Sequence, residues 1–284
     1  DTGLGIKLMI ATTLVFAGQD AISRHLAGEY NVMMVVMIRY WVFALFVIAL
    51  AARQPGGVRR AVASRRPGLQ VLRGVLLAAE ICVAVLGFVL LGLIGAHAIF
   101  AAYPLIVAAL SGPVLGERVG WRRWTAIGIG FVGVLILLSP GGTVFGPAAL
   151  LPLTAAVMFA FYSLLTRKVG EYDAPSVSFF WTGTVGAVAM TVVGVWFWEP
   201  MAPRDWGWMA MLCGTAILAH WLLIRAYAVA EAGAIQPFSY LHLVWVGGIG
   251  LLVFDEVITL HLLVGAAVVV GAGLFTLWRE RQSR

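Results

Sequence analysis

Gly95–Glu117 reads GAHAIFAAYPLIVAALSGPVLGE, and Ala234–Glu256 reads AIQPFSYLHLVWVGGIGLLVFDE. The two stretches have the same length. Each sets a few polar or aromatic residues and a proline in an apolar run, and each closes on a glutamate. A shift of 139 positions places Glu117 on Glu256, Val107 on Val246 and Ala108–Ala109 on Gly247–Gly248. A shift of 143 places Phe16–Ala17 on Phe159–Ala160 and Ser23–Arg24 on Thr166–Arg167. The chain therefore reads as two copies of one unit, 1–140 and 146–284, joined by the Gly/Pro-rich segment SPGGTVFGP.

The solvent of these units follows from composition. Hydrophobic residues make up 62% of the 284 and charged residues 11%, whereas a water-soluble domain carries about a quarter. The natural surroundings are lipid, which a helix crosses in roughly 20 apolar residues. Apolar runs at 4–26, 33–52, 69–92, 95–115, 121–139, 147–168, 174–197, 205–229, 234–254 and 259–279 predict ten spans. Their length and all-round apolarity predict helices and exclude barrel strands, which alternate over about 10 residues. The first run is full length and lacks a small-residue cleavage pattern, so no cleavable signal is predicted.

Lys and Arg orient the spans. With the N-terminus inside, the inner loops and span ends hold fifteen of the 19 basic residues, and the outer side holds Arg24 and Arg204. Arg39 and Arg225 fall within spans. This asymmetry predicts that both termini are cytoplasmic. It also explains the net charge of +6 without a nucleic-acid partner. Five spans per unit is odd, so the second unit enters from the opposite side. Inverted repeats of this kind build secondary transporters, with the substrate near the midplane between them.

The segments YPLIVAALSGPVLGERVGWRRWTAIGIGFVGVLIL and PFSYLHLVWVGGIGLLVFDEVITLHLLVGAAVVVGAGL resemble the EamA-type repeat of the drug/metabolite transporter superfamily. The shared features are a proline in the span, a small-residue slope, a closing glutamate and a following Gly-rich span. The resemblance covers nearly the whole chain. Its ten-span layout is most similar to the YddG-type exporters of aromatic and other amino acids. It implies a bacterial inner-membrane carrier that exports amino acids by alternating access. Multidrug, organic-cation or other metabolite export by the same superfamily is the alternative. The copies differ in one respect: Leu243 stands where the first has Pro104, and Pro237 comes earlier.

Ionisable groups at span depth are costly and are functional candidates by default. Glu80, midway along the third span, is read as a site for a substrate amine or a proton, against a packing role. His97 lies just inside the outer end of the fourth span. Tyr103 precedes Pro104, whose missing N–H bends a helix and frees a carbonyl; Pro237 is the corresponding kink candidate. His220 and His242 are candidates for holding a carboxylate or, with Glu80, for relaying protons. Trp245 and Tyr240 are candidates for stacking on a ring or cation, and Gln19 and Tyr162 for lining the cavity. Arg39 either binds a carboxylate or snorkels outward, and the anchor reading is preferred; Arg225 snorkels. Asp20, Glu117 and Glu256 read as span-end acids that cap helices or pair across loops.

Cys82 and Cys213 sit in apolar runs and imply no disulfide or metal cluster. G-x-x-x-x-G-K-[ST], H-E-x-x-H and G-x-S-x-G do not occur, so neither an ATP-driven pump nor an enzyme is expected, and no cofactor or metal. The expected partners are a small-molecule substrate, the bilayer and, through the ionisable groups, protons. The Gly-rich fifth and tenth spans predict close helix approach, either within one chain or across a homodimer.

Overall fold

A computed structural model describes residues 1–116, 120–138, 146–230 and 235–282. Among them the chain is helical throughout. The helices are α1 (Thr2–Glu29), α2 (Val32–Ala52), α3 (Gly57–Val62), α4 (Pro67–Phe100), α5 (Tyr103–Leu115), α6 (Trp121–Leu137), α7 (Leu150–Val169), α8 (Pro175–Gly194), α9 (Asp205–Val229), α10 (Leu241–Val253) and α11 (Leu260–Gln282). Short 3-10 turns cover Pro147–Ala149, Val195–Phe197 and Gln236–Tyr240. Six helical stretches are long and apolar enough to cross a membrane, and four shorter apolar helices accompany them. In lipid every backbone polar group must be satisfied within the chain, which is why this composition folds as helices.

Local chemistry sets the helix ends. The Asp1 carboxylate accepts from the Leu4 N–H, and Asn31 Oδ1 accepts from the Met33 N–H. Proline opens α4, α5 and α8, where its missing N–H costs nothing. Gly116, in the left-handed region, closes α5. Glu117 lies outside the described residues.

The expected third and fourth spans emerge as one helical stretch with a sharp break. Gly92 has φ 78° and ψ 168° inside α4. The rings of Phe88 and His97 stack at 4.7 Å, although nine residues of straight helix would separate them by about 13 Å. The chain thus folds back at Gly92 with no intervening loop. The half-helix Leu93–Phe100 then yields to α5 at Ala101–Ala102, because Pro104 cannot donate to the Phe100 carbonyl.

The two sequence units interleave rather than sit apart. α1 packs along α9, α2 along α8, α4 along α7, and α6 along α11. The Gly-rich runs meet within the chain: a Cβ on Gly133 would lie 2.9 Å from the Val269 N and 3.0 Å from the Gly265 carbonyl. The Gly-rich runs of α6 and α11 therefore pack on each other within the chain.

Contacts also define two ends of the bundle. At the basic end, the Asp1 nitrogen donates to the Val229 carbonyl and Lys168 to that of Val114. There Asp173, between α7 and α8, accepts from Ser64, the Arg65 N–H and Gln70. At the opposite end, Tyr30 donates to Asp205, the Asn31 N–H to Glu199, and Arg24 pairs with Glu256.

Candidate functional site

A cavity of about 850 Å³ runs through the middle of the bundle. At the basic end it reaches the exposed Gly170 and Glu171, together with Asp173 and Ala230. Its far end is floored by Asp20, His97 and His242, and no residue of the opposite end's Arg24–Glu256 contact lines it. An apolar wall of Phe16, Phe88, Phe100, Tyr103 and Phe159 surrounds a small set of polar groups. Tyr103 and Phe159 meet edge to face at 5.0 Å, and Phe100 packs on both.

Two ionisable side chains of opposite sign stand in this wall without a hydrogen bond or ion pair among the described residues. Glu80, from the middle of α4, is 4% exposed, and Arg39, from α2, is 3% exposed. Both line the cavity, and among the described residues neither makes a hydrogen bond or an ion pair. Arg39 therefore corrects the expectation of an outward anchor. Its guanidinium lies 5.8 Å from the centre of the Tyr40 ring, and its side chain lines the cavity. A buried charge left without a partner costs several kcal/mol, so a solute that supplied counter-charges would recover part of that cost.

A second cluster lies at the closed end. Asp20 Oδ2 is 3.0 Å from His97 Nε2 and 3.1 Å from His242 Nε2. The other ring nitrogen of His97 faces the Leu93 carbonyl at 2.9 Å. Asp20 was expected at a span end. In the structure α1 continues to Glu29, so Asp20 sits more than two turns inside it. His97, expected near the interface, is 4% exposed and belongs to the same cluster. These three residues are the described group that could hold a metal, with ligand atoms within 4.8 Å of one another. Their O···N separations are hydrogen-bond lengths, shorter than the roughly 3.3 Å edge of a tetrahedron with Zn–ligand bonds of about 2.0 Å. The spacing suits protons better than a metal.

One layer further out, Glu256 does two jobs. It pairs with Arg24, and it accepts from the N–H groups of Leu93 (2.7 Å) and Ile94 (2.8 Å). It thereby caps the half-helix that starts after Gly92. The carboxylate and its two N–H donors close the end of the bundle that the cavity does not reach.

The EamA-like transporter family matches this chain over residues 3–139 and 146–278. The chain belongs to that family. It is 29% identical over 295 residues to a riboflavin transporter of Vibrio cholerae, covering 99% of this chain and 95% of that protein. It is 23% identical to an S-adenosylmethionine uptake transporter of Rickettsia prowazekii, covering 98% and 94%. It is also 23% identical to a pseudopaline exporter of Pseudomonas aeruginosa, covering 94% of each. One solved crystal structure superposes with a TM-score of 0.63 at 17% identity, covering 100% of this chain and 98% of the other, which speaks for the fold. This EamA-family chain is thus a membrane transporter of small molecules and not an enzyme.

Within the transporter, the other sequence candidates fall into three groups. His220 lines the cavity, its Nδ1 3.0 Å from the Ala216 carbonyl and its ring edge-on to Phe16. Tyr103, Pro104, Tyr162 and Gln19 line it as well, and the Tyr162 hydroxyl accepts from Arg73. Trp245 and Tyr240 stand behind the wall. Trp245 Nε1 donates to Thr13 Oγ1 at 3.3 Å, and the Tyr240 ring packs over Gly273 of α11. Pro237 lies in the 3-10 turn Gln236–Tyr240, which precedes α10 in place of a mid-helix kink. Arg225 is exposed, with its guanidinium 5.7 Å from the Trp221 ring. Sequence reasoning passed over Asp20 and Arg39. The signal for both was their distance from the helix ends, which depends on where the helices stop.

Proposed function

We propose that this protein is a secondary carrier of a ring-bearing metabolite that carries both a cationic and an anionic group. The observation that carries the reading is the pair of buried ionisable groups, Glu80 and Arg39, which make no hydrogen bond or ion pair among the described residues and face an aromatic wall. Glu80 takes an ammonium or sulfonium, Arg39 takes a carboxylate, and the Phe and Tyr rings stack on the planar part. S-adenosylmethionine, named for one group of relatives, has this chemistry. Riboflavin, named for another, offers the ring without the charge pair. The relatives above are named for metabolites larger than the common amino acids, so amino-acid export gives way to the metabolite alternative.

The fold reading that supports transport is an inverted repeat, 1–140 against 146–284, with ten crossings and the basic end cytoplasmic. On that orientation the cavity faces the cytoplasm and the Arg24–Glu256 end is the closed outer side. Alternating access then requires the outer contacts to open while the mouth near Asp173 closes.

Counterflow in proteoliposomes tests this. Vesicles loaded with unlabelled S-adenosylmethionine should transiently accumulate the labelled compound, and empty vesicles should not. Glu80→Gln and Arg39→Gln should each lower that exchange at least tenfold. Exchange of riboflavin alone, or of phenylalanine, tryptophan and methionine alone, would overturn the charged-metabolite reading.

A further inference from the structure

The closed end is built as two charged layers on the same three elements. The outer layer joins Arg24 of α1, the Leu93 and Ile94 N–H groups of the half-helix in α4, and Glu256 just beyond α10. The inner layer joins Asp20 of α1, His97 of that half-helix and His242 of α10. Arg24 and Asp20 are one turn apart on α1. Leu93 and His97 are one turn apart on the half-helix, linked by the His97 Nδ1 contact to the Leu93 carbonyl.

That link fixes where a proton must be. A carbonyl oxygen only accepts, so Nδ1 of His97 carries a hydrogen. A neutral His97 would then turn the lone pair of Nε2 toward Asp20 Oδ2 at 3.0 Å. Two acceptors at that distance repel unless a proton lies between them. His242 Nε2 lies 3.1 Å from the same oxygen but is not aligned for a hydrogen bond. No contact among the described residues fixes which of its two nitrogens carries hydrogen, so His242 adds a second imidazole beside the same carboxylate. The other ionisable groups around the cluster are Glu80 of α4, Arg39 of α2, His220 of α9 and Tyr103 of α5, all in the cavity wall.

We propose that Asp20, His97 and His242 bind one proton delivered from the cavity, and that this proton holds the outer end of the carrier shut. Bound, it sits on His97 Nε2 and turns the contact with the Asp20 carboxylate into a charge-assisted hydrogen bond that ties α1 to the half-helix. Released to the cavity water, it leaves a carboxylate facing two neutral imidazoles. The inner layer then pushes apart, and Arg24 and Glu256 alone hold the end. Transport alternation is thereby linked to the exchange of one proton. The inference rests on the carrier reading but places the proton site away from Glu80, which is left to the substrate.

The test uses the full chain in lipid nanodiscs, with histidine labelled by ¹³C and ¹⁵N. Ring chemical shifts report which nitrogens carry hydrogen. At the pH where the outer end is closed, His97 should carry hydrogen on both nitrogens, and Asp20→Asn should leave it only on Nδ1. A second readout follows opening from the outer side. Gln19→Cys, in a chain with Cys82→Ser and Cys213→Ser, is exposed to a membrane-impermeant thiol reagent in right-side-out vesicles. Labelling should rise at least fivefold as pH is raised, and Asp20→Asn or His97→Gln should flatten that rise. A His97 ring that keeps a single hydrogen at every pH would overturn the proposal. So would ring signals that change when the protein is stripped with a chelator, which would mark a metal site. Neither readout needs substrate, so a failure of this proposal is distinguishable from a failure of metabolite counterflow.

Discussion

Two sets of buried charge in this molecule are built on opposite principles. At the basic end, Arg73 is fully buried, yet its guanidinium donates to Gln70 Oε1 (2.8 Å), the Ser178 carbonyl (2.6 Å), Tyr162 and Thr166. Gln70 in turn donates to Asp173 and Ser178. About 10 Å further along α4 (seven residues, at about 1.5 Å each), Glu80 is also buried and makes no hydrogen bond or ion pair among the described residues. The first set repays its desolvation with hydrogen bonds from its own helices and thereby holds α4, α7 and α8 in register. The second leaves its cost outstanding. The Arg73 Nε still lacks a partner, so the contrast with Glu80, which makes no hydrogen bond or ion pair among the described residues, is one of degree.

The comparison breaks most visibly at Arg73. Arg73→Leu strips four acceptors of their donor in a buried network. Each lost hydrogen bond to a charged group is worth roughly 1.5–3 kcal/mol, and relaxation will recover part of that. A loss of about 3 kcal/mol in unfolding free energy is expected, read by denaturation in detergent micelles. Transport should fall only in proportion to folded protein. Unchanged stability would remove the structural half of the contrast.

Glu80→Gln should behave in the opposite way. It replaces a buried carboxyl that makes no hydrogen bond or ion pair among the described residues by a neutral amide of the same shape, so thermal stability should hold or rise, while metabolite exchange drops at least tenfold, or about 1.4 kcal/mol of binding. A variant that lost stability and kept its exchange would show that Glu80 is a packing residue. Arg39→Gln should follow the same pattern.

Gly92→Ala sharpens the comparison at the closed end. A side chain there must adopt φ near 78° and would meet the Glu256 carboxylate at 2.7 Å. A destabilisation of about 1–2 kcal/mol is expected from the backbone conformation. Because Glu256 would be pushed off Leu93 and Ile94, outer-side labelling of the cavity should also increase. Thermal unfolding and thiol labelling check the two parts separately.

What the sequence made legible follows the same division. Run length, basic loops and the doubled figure were enough to expect a helical membrane transporter, because lipid imposes those patterns on every span. Glu80 stood out because a carboxylate in LLAAEICVAV has no local excuse. Asp20 and Arg39 did not stand out, because each lies within a few turns of a helix end, and a shift of one turn decides between solvent and cavity. Trp245 shows a related difficulty. Depth along a helix can be counted from sequence, but the face it presents depends on neighbours such as Thr13 of α1, which arrive from 232 residues away. The reversal between the third and fourth spans was legible at 92–95, but its construction from a single glycine was not, because nothing polar interrupts the run. Its cap comes from Glu256, on the other repeat.

The smallest effect concerns pH and the satisfied network. Asp173 lies in the connection between α7 and α8. Burial opposes its charge, but hydrogen bonds from Ser64, the Arg65 N–H and Gln70, together with the Arg65 charge, outweigh that and hold the carboxyl below its ordinary value. A carboxyl lowered in the folded state binds its proton more readily when unfolded. Its stabilisation is therefore complete above the unfolded value of about 3.9 and is lost as pH falls through the lower folded value. Asp173→Asn should cost the same stability at every pH from neutral down to about 4, and the gap to the unmodified protein should narrow below that. Paired unfolding curves between pH 3 and 7 check it. A gap that narrowed already near neutrality would place the titrating group elsewhere, and the inner layer of Asp20, His97 and His242 would be the next group to test.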